Sequence, residues 1–170
     1  MPAQLSDEIR AAQMRFVDRI GDGWALVTAG TMETGWNTMT IGWGSAGVLW
    51  SRPIMTAYVY PRRYTHGFML DNDYFTIQLF GDEYKRDLGI LGSKSGRDGD
   101  KVALTSLTPR AIEHGVTFEE ASDTFVCKKI YTQRLDPTLA PPDFLARTGG
   151  FYATDAHTVF IGELLRVLRG

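Results

Sequence analysis

Apolar residues recur with a helical period only near the start of the chain. Residues 6–20 are predicted to form a helix, because their apolar side chains fall on one side at helical spacing. Ser6 is a favourable N-cap residue for this helix and Gly21 a favourable stop signal. The residues that define the apolar side are Ile9, Phe16, Val17 and Ile20.

After residue 20 the spacing changes to that of β-strands. Six segments show a short apolar run or alternation, and in residues 74–80 the side chains of Phe75, Ile77 and Leu79 share one face. Turn-forming residues separate the segments, which predicts a mostly β sandwich or barrel and not alternating βαβ units. The six predicted strands are residues 24–28, 39–41, 54–60, 74–80, 124–132 and 157–161.

Two further segments carry helix or loop signals. Residues 82–91 predict a short helix that Asp82 caps and Gly92 ends. Residues 139–150 contain a Pro-Pro pair and a Gly-Gly pair, so they are predicted to form a surface loop.

Composition narrows the class of protein. A length of 170 residues predicts a single domain over residues 1–170, since domains have roughly 100–200 residues. The 18 Lys and Arg against 20 Asp and Glu give a net charge of -2, which argues against a nucleic-acid partner. The single cysteine, Cys127, excludes an internal disulfide framework and a multi-cysteine metal site.

The chain shows no targeting or membrane signal. Residues 1–19 include the charged side chains of Asp7, Glu8, Arg10 and Arg15 and lack the apolar core of a signal peptide. The longest uncharged run, residues 34–51, contains four glycines and three threonines and does not resemble a membrane span. We therefore expect a cytoplasmic protein without a membrane partner.

Polar residues that suit a phosphate or a polar ring occur in three segments. In residues 37–44, Asn37, Thr38 and Thr40 alternate with apolar side chains, and two glycines permit close approach to the backbone. The alternative for this segment is a turn followed by a core strand, which composition alone slightly favours.

The second segment, residues 61–65, follows a predicted strand. Arg62 and Arg63 offer charge-assisted donors, and Thr65 is a candidate cap for a short helix whose free N–H groups favour an anion. The alternative is a solvated basic corner.

The third segment, residues 92–101, is a glycine-rich loop with two serines and three cations. Such a loop can form an anion-binding concavity from its backbone amides, although the order of a P-loop is missing. The alternative is a flexible polar loop. Two such loops beside strands favour a bound phosphate more than either does alone.

Catalytic side chains are scarce in the sequence. His66, His114 and His157 are not at metal-ligand spacing, and no metal site is predicted. Cys127 lies within a predicted strand, where a cysteine is more often a small buried apolar residue. A Gly-x-Ser-x-Gly elbow is absent. A protein of this kind can bind a cofactor that carries the chemistry.

An ordered set of motifs extends from residue 24 to the end of the chain. In order they are Leu-Val-Thr-Ala-Gly at 26–30, Asn-Thr-Met-Thr at 37–40 with Trp-Gly at 43–44, Arg-Tyr-Thr at 63–65, Gly-Ser-Lys-Ser-Gly-Arg-Asp at 92–98 with Asp-Lys at 100–101, Leu-Thr-Pro at 107–109, Phe-Glu-Glu-Ala at 118–121, Cys-Lys-Lys-Ile-Tyr at 127–131, and Asp-Ala-His at 155–157 with Ile-Gly-Glu at 161–163. The set resembles the flavin reductase-like family with an FMN-binding split β-barrel, especially its flavoredoxin-like branch.

This resemblance implies a fold, a cofactor and an assembly. The fold is a six-stranded antiparallel Greek-key barrel with flanking short helices, and the assembly is a homodimer with FMN near the interface. His157 matches a family histidine near the flavin and nicotinamide site. The residues implied at the flavin ring are Asn37, Met39, Thr40 and Trp43, and those implied at its phosphate are Arg63, Tyr64, Thr65, Ser93, Lys94, Ser95, Arg97 and Lys101.

Two departures from the family pattern bear on the site. Members often carry an arginine where Tyr60 stands, so the phosphate here would depend on Arg62 or Arg63. Residues 139–152 match the family poorly, and this region can line the substrate side.

Three hypotheses follow. The first is an FMN-dependent NAD(P)H oxidoreductase that passes a hydride from nicotinamide to flavin N5, with a small molecule or a flavin as acceptor. The second is an FMN-bound electron carrier without NAD(P)H turnover. The third is a flavin-free β-barrel that stacks ligands on its aromatic residues, 12% of the chain. The lack of a second nucleotide motif favours FMN over FAD.

Overall fold

The computed structural model describes residues 6–147 and 155–170, and this part of the chain is mostly β, as predicted. The helices are α1 (Asp7–Ile20), α2 (Tyr64–Asp71), α3 (Lys85–Ser93) and α4 (Pro142–Arg147). The strands are β1 (Ala25–Thr31), β2 (Gly35–Ile41), β3 (Gly44–Leu49), β4 (Arg52–Val59), β5 (Tyr74–Leu79), β6 (Pro109–Ile112), β7 (Gly115–Phe118), β8 (Asp123–Arg134) and β9 (Thr158–Arg169).

Seven strands form one antiparallel sheet in the order β2-β1-β5-β8-β9-β4-β3. The two edge strands, β2 and β3, are joined in the chain by Gly42 and Trp43 alone, so the sheet must curl to bring its edges together. The count is one more than the six strands that the resemblance implies, because β3 adds to the edge of β4. The remaining hairpin, β6–β7, packs on β1 and β5.

Helix α1 covers one end of the curled sheet. Its Ser6 N-cap accepts a hydrogen bond from the Ile9 amide, as the sequence predicts. Phe16 is fully buried, with its ring edge-on to Phe125 at 5.8 Å between centroids. The amide of Gln13 donates to carbonyls of the β3–β4 hairpin. The helix therefore seals the core and fixes the hairpin that starts beside Trp43.

Several boundaries differ from the predicted ones. Helix α2 begins after Arg63, so Thr65 lies inside its first turn and does not cap it. The predicted helix 82–91 is a 3-10 turn followed by α3, which ends at Ser93. Asp82 does not cap it; its carboxylate instead accepts a hydrogen bond from Arg19.

The predicted loop 139–150 contains a helix in its described part. Pro142 begins α4, as proline suits the first helical position, and Asp143 and Arg147 place opposite charges at its two ends. Residues 148–150 lie outside the described residues. None of the helices in the described ranges is long and apolar enough to cross a membrane.

Candidate functional site

An open cavity of about 320 Å³ lies where β2 and β4 end and β9 begins. The antiparallel register of β4 and β9 pairs Val59 with Thr158, which brings Tyr60 opposite His157. Aromatic rings form much of the wall, and we call this space the aromatic cavity. Its lining residues are Met39, Thr40, Ile41, Gly42, Trp43, Tyr58, Tyr60, Arg63 and His157.

A second cavity of about 140 Å³ adjoins the first, and the two share Met39 and Arg63 as lining residues. Five of its lining side chains are cationic, and none of its described lining residues is acidic. We call it the cationic cavity. It is lined by Asn37, Met39, Arg62, Arg63, Tyr64, Thr65, Lys94, Ser95, Gly96, Arg97 and Lys101. Such a concentration of positive charge suits a phosphate dianion.

The wall of the cationic cavity is held by contacts between β2, α2 and the loop after α3. The buried Asn37 donates a hydrogen bond of 2.8 Å to the Thr65 hydroxyl. The guanidinium of Arg97 lies 5.0 Å from the centre of the Tyr64 ring and donates to the Arg62 carbonyl. Gly96 fits closely between these elements.

Lys101 is the most deeply buried cation of this cavity, with 5% of its surface exposed. Its ammonium donates to the carbonyls of Leu91 (2.8 Å) and Lys94 (3.2 Å) and so caps the negative end of α3. Burial, together with the charge of Arg63, lowers the pKa of Lys101 to about 8. An anion in the cavity would stabilise the charged form.

Arg63 connects the two cavities. Its guanidinium donates to the carbonyl of Gly92 at the end of α3, which anchors the side chain across the boundary. Arg63 is also the N-cap residue of α2, whose first turn contains no acidic side chain. The positive end of the α2 dipole therefore adds to the charge of the cationic cavity.

Tyr60 takes part in a network at the rim of the aromatic cavity. Its hydroxyl donates to Asp155 at 2.6 Å, and this bond raises the pKa of Tyr60 and lowers that of Asp155. Arg62 and Arg134 also bind this carboxylate, at 2.7 and 3.1 Å. Because Arg62 is held by Asp155, Arg63 is the arginine that reaches both cavities.

His157 lies between two aromatic rings of the same cavity. Its ring centroid is 4.8 Å from that of Trp43 and 5.3 Å from that of Tyr60. Burial lowers the pKa of His157, although the charge of Asp155 opposes the shift. The imidazole is therefore mostly neutral at pH about 7, with one N–H donor and one acceptor nitrogen.

Thr40 offers the cavity an oxygen acceptor and not a donor. Its hydroxyl donates to the carbonyl of Leu88 at 2.5 Å. Donors for a polar ring edge must then come from backbone amides, and β2 is an edge strand of the sheet. One side of its backbone has no neighbouring strand within the described sheet, so its amides can face a ligand.

All of the predicted site residues except Ser93 line one of these two cavities. Ser93 is the last residue of α3 and donates to the carbonyl of Ile90. Sequence reasoning missed Tyr58 as a site residue, whereas Ile41 and Gly96 lie inside the segments 37–44 and 92–101 that it singled out. Tyr58 and Tyr60 alternate with buried Ala57 and Val59, and this alternation was a usable signal for an outward-facing aromatic pair.

Two larger spaces adjoin the site. A cavity of about 400 Å³ shares four residues with the cationic cavity and is lined by Gly35, Trp36, Asn37, Tyr64, Phe68, Gly96, Gly99, Asp100, Lys101 and Val102. A space of about 670 Å³, which we call the apolar chamber, shares Trp43 and Tyr58 with the aromatic cavity. The chamber is lined by Trp43, Tyr58, Gln133, Leu135, Asp136, Pro137, Leu139, Ala140 and Phe144.

The family model described as "flavin reductase like domain" matches residues 17–169. The chain belongs to the flavin reductase-like family. The match spans β1 to β9 and so includes every element that lines the two cavities. A comparison with curated proteins finds none that matches.

Solved structures show the same split-barrel fold, as the resemblance implies. An FMN-binding protein from Thermus thermophilus with bound p-hydroxybenzaldehyde has a TM-score of 0.67 at 20% identity, over 86% of this chain and 71% of that chain. Flavoredoxin of Desulfovibrio vulgaris (Miyazaki F) has a TM-score of 0.66 at 22% identity, over 86% and 69%. The styrene monooxygenase flavin reductase of Pseudomonas putida S12 has a TM-score of 0.62 at 16% identity, over 86% and 79%.

Proposed function

We propose that this protein binds FMN and acts as an FMN-dependent NAD(P)H oxidoreductase. The observation that carries the proposal is the pair of joined cavities that share Met39 and Arg63. One cavity has aromatic walls, and the other collects five cationic side chains. The same proposal is supported by the similar solved structures, which are named as an FMN-binding protein, a flavoredoxin and a flavin reductase.

The residues present fit FMN. Arg63 and Lys101 would hold the phosphate, since both are anchored on the end of α3 with their charge in the cationic cavity. Met39 and Trp43 would flank the flavin ring, and amides along the free edge of β2 would bind its polar side. The neutral imidazole of His157 would position the nicotinamide or a carbonyl acceptor.

When bound, FMN supplies the redox chemistry, since its N5 accepts a hydride from the nicotinamide C4. The chain itself contributes binding, orientation and electrostatics. The Tyr60 hydroxyl keeps its proton, which it directs to the Asp155 carboxylate, and so serves as a fixed part of the wall and not as a proton donor to a substrate. The electron acceptor would be a small molecule or a free flavin.

An absorption titration tests the proposal. Purified protein mixed with FMN should retain oxidised-flavin absorption through gel filtration. Riboflavin, which lacks the phosphate, should bind much more weakly, and FAD measured in parallel reports whether the adjoining 400 Å³ cavity accepts an adenosine. A protein that takes up none of the three would leave the flavin-free binding module as the better hypothesis.

Rapid mixing of the FMN-loaded protein with NADH or NADPH under anaerobic conditions separates the enzyme from the electron carrier. An oxidoreductase should lose its flavin absorbance within a catalytic turnover. A holo-protein that stays oxidised with both nucleotides, yet is reduced by dithionite, would be an electron carrier instead.

The affinity for FMN should fall above pH about 8. The pKa of Lys101 is about 8 without ligand, and the phosphate dianion favours the charged ammonium, so binding takes up a proton above that pH. We expect the dissociation constant to be flat from pH about 7 to 8 and to rise about tenfold or more by pH about 9.5. Fluorescence titration across this range measures it.

The control for this pH dependence is Lys101→Arg, because a guanidinium stays charged across the whole range. This variant should bind FMN with little change above pH about 8. A wild-type dissociation constant that stays level up to pH about 9.5 would show that Lys101 does not neutralise the phosphate.

Gly96→Ala should weaken FMN binding by about tenfold, since overpacking a close contact costs about 1–3 kcal/mol. A Cβ at this position would collide with the Asn37 side-chain oxygen and lie 2.9 Å from the Tyr64 ring. The Asn37 side chain or the Tyr64 ring must therefore move, and both line the cationic cavity. The matched control is Gly89→Ala in α3, where a Cβ has open space. Equal affinity in both variants would contradict the close fit.

We also propose that the protein is a homodimer with FMN near the interface. Large apolar side chains are exposed on strands β3, β8 and β9 and on the β3–β4 turn. Trp50 is 63% exposed and its ring approaches that of Tyr131 at 6.4 Å. Val48 of β3 and Leu165 of β9 are also exposed and add to this apolar surface. Trp43, at the aromatic cavity, immediately precedes β3.

Trp50→Asp is expected to dissociate this dimer. Loss of a central aromatic contact costs about 2 kcal/mol or more, so the dimer dissociation constant should rise roughly 30-fold or more. Analytical ultracentrifugation measures the change. Leu70→Asp, at an exposed apolar residue of α2, serves as the control. A wild-type protein that sediments as a monomer would refute the assembly.

A further inference from the structure

We infer that the apolar chamber binds the electron acceptor, and that this acceptor is an uncharged, apolar, ring-sized molecule such as a quinone. The inference rests on the proposed function, because the chamber opens on the cavity assigned to the flavin ring. It names the acceptor class, which the proposed function leaves as a small molecule or a free flavin.

The chamber is placed to deliver a substrate to the aromatic cavity. Trp43 and Tyr58 line both spaces, so a molecule in the chamber contacts the same two rings that form the wall of the aromatic cavity. Its volume of about 670 Å³ lies within the range of small-molecule sites, roughly 300–1,000 Å³. The aromatic cavity alone, at about 320 Å³, is at the lower limit of that range.

The chamber wall is apolar. Leu139 is 83% exposed and Phe144 54% exposed, both unusual for side chains of this size. They face the chamber with Leu135 and Pro137. Exposed apolar surface of this extent, in a concave site beside a cofactor cavity, favours an apolar ligand.

Charge selects against phosphorylated acceptors. Asp136 is the sole charged side chain among the described residues that line the chamber. Its carboxylate accepts hydrogen bonds from the amide (2.9 Å) and the hydroxyl (2.6 Å) of Thr138, which lower its pKa and keep it anionic. The cationic cavity, by contrast, has five cations. A free flavin nucleotide in the chamber would bring its phosphate toward the Asp136 carboxylate, and none of the described lining residues is a cation that could offset the repulsion.

The reaction balances with an acceptor of this class. NAD(P)H and one proton react with a quinone to give NAD(P)⁺ and a hydroquinone. The C4–H bond of the nicotinamide breaks, its electron pair reaches the quinone through the bound cofactor, and two O–H bonds form on the quinone oxygens. One of the two protons comes from the nicotinamide hydride and the other from water.

The test uses FMN-loaded protein and menadione, an uncharged bicyclic quinone. Calorimetry measures menadione binding, and steady-state kinetics compare menadione with free FMN as acceptor under NAD(P)H. We expect menadione to be the better acceptor by kcat/KM. Phe144→Glu and Leu139→Glu should each weaken menadione binding by about tenfold or more, since a carboxylate replaces apolar contact. Met14→Glu, at an exposed apolar residue of α1, is the matched control.

A second variant gives a gain of function that misfolding cannot mimic. Gln133 lines the chamber and is exposed, so Gln133→Lys places a cation there. We expect its KM for free FMN to fall about threefold or more, because the phosphate then has a partner. An unchanged KM would contradict the charge argument.

The outcomes separate the two proposals. One outcome is that NAD(P)H bleaches the flavin of the wild-type protein but menadione does not bind. That result supports the proposed function and overturns the chamber assignment. A second outcome is that wild-type protein binds menadione and both glutamate variants lose this binding, but NAD(P)H does not bleach the flavin. That result supports the chamber assignment and refutes NAD(P)H turnover. Glutamate variants that dissociate the dimer and bind menadione normally would show that a second copy covers the chamber, which also overturns the assignment.

Discussion

Replacing Arg63 and Lys101 together by methionine should raise the dissociation constant for FMN by about 10²- to 10⁴-fold. A hydrogen bond to a charged group contributes about 1.5–3 kcal/mol, and about 1.4 kcal/mol corresponds to a factor of ten. Both cations are anchored on carbonyls at the end of α3, so their charges are already oriented before a phosphate binds. Fluorescence titration at pH about 7 measures the loss.

Riboflavin binding is the internal control for this double variant. Riboflavin has no phosphate, so its affinity should stay within about threefold of wild type if the two cations act on the phosphate alone. Arg110→Met removes an exposed cation from β6, away from the cavities, and should leave FMN affinity unchanged. A parallel loss of riboflavin and FMN binding would instead show that the substitutions distort the aromatic cavity.

The sequence located the polar segments of the site but not how they meet. Residues 37–44, 61–65 and 92–101 each contain groups suited to an anion, and the structure places them around shared cavities. Their mutual contacts depend on tertiary packing. Nothing local to Lys101 predicts that its ammonium caps the end of α3, because that contact depends on how the loop folds back.

The strands that were not predicted from the sequence have turns or apolar spacings that local sequence rules do not assign to β-structure. The β3–β4 hairpin has a two-residue loop in which Trp50 and Ser51 both have positive φ, where Asn-Gly is the usual signal. The β6–β7 turn likewise relies on His114 at φ 70°. The second half of β9 carries apolar residues in a helix-like spacing, yet pairing with β8 makes it a strand. Tertiary pairing overrides local preference in each case.

Gly30→Ala is expected to cost about 3–5 kcal/mol of the free energy of unfolding, and Gly35→Ala only about 1–2 kcal/mol. Both glycines lie in the β1–β2 hairpin at nearly the same positive φ, 94° and 96°, which an alanine rarely adopts. They differ in the space around them. At Gly30 a Cβ would collide with the carbonyl oxygen of Gly35 and lie 2.8 Å from the Trp36 Cα, whereas at Gly35 it has open space.

The difference between these variants isolates the collision from the backbone strain. Backbone atoms cannot rotate away as the end of a side chain can, so Gly30→Ala must shift β2 against β1. That shift also displaces Asn37 and Met39, so Gly30→Ala should weaken FMN binding while Gly35→Ala leaves it near wild type. Urea unfolding measures the stabilities, and a typical domain has about 5–15 kcal/mol in total. Equal losses in the two variants would show that strain alone sets the cost and that the hairpin can relax around Gly30.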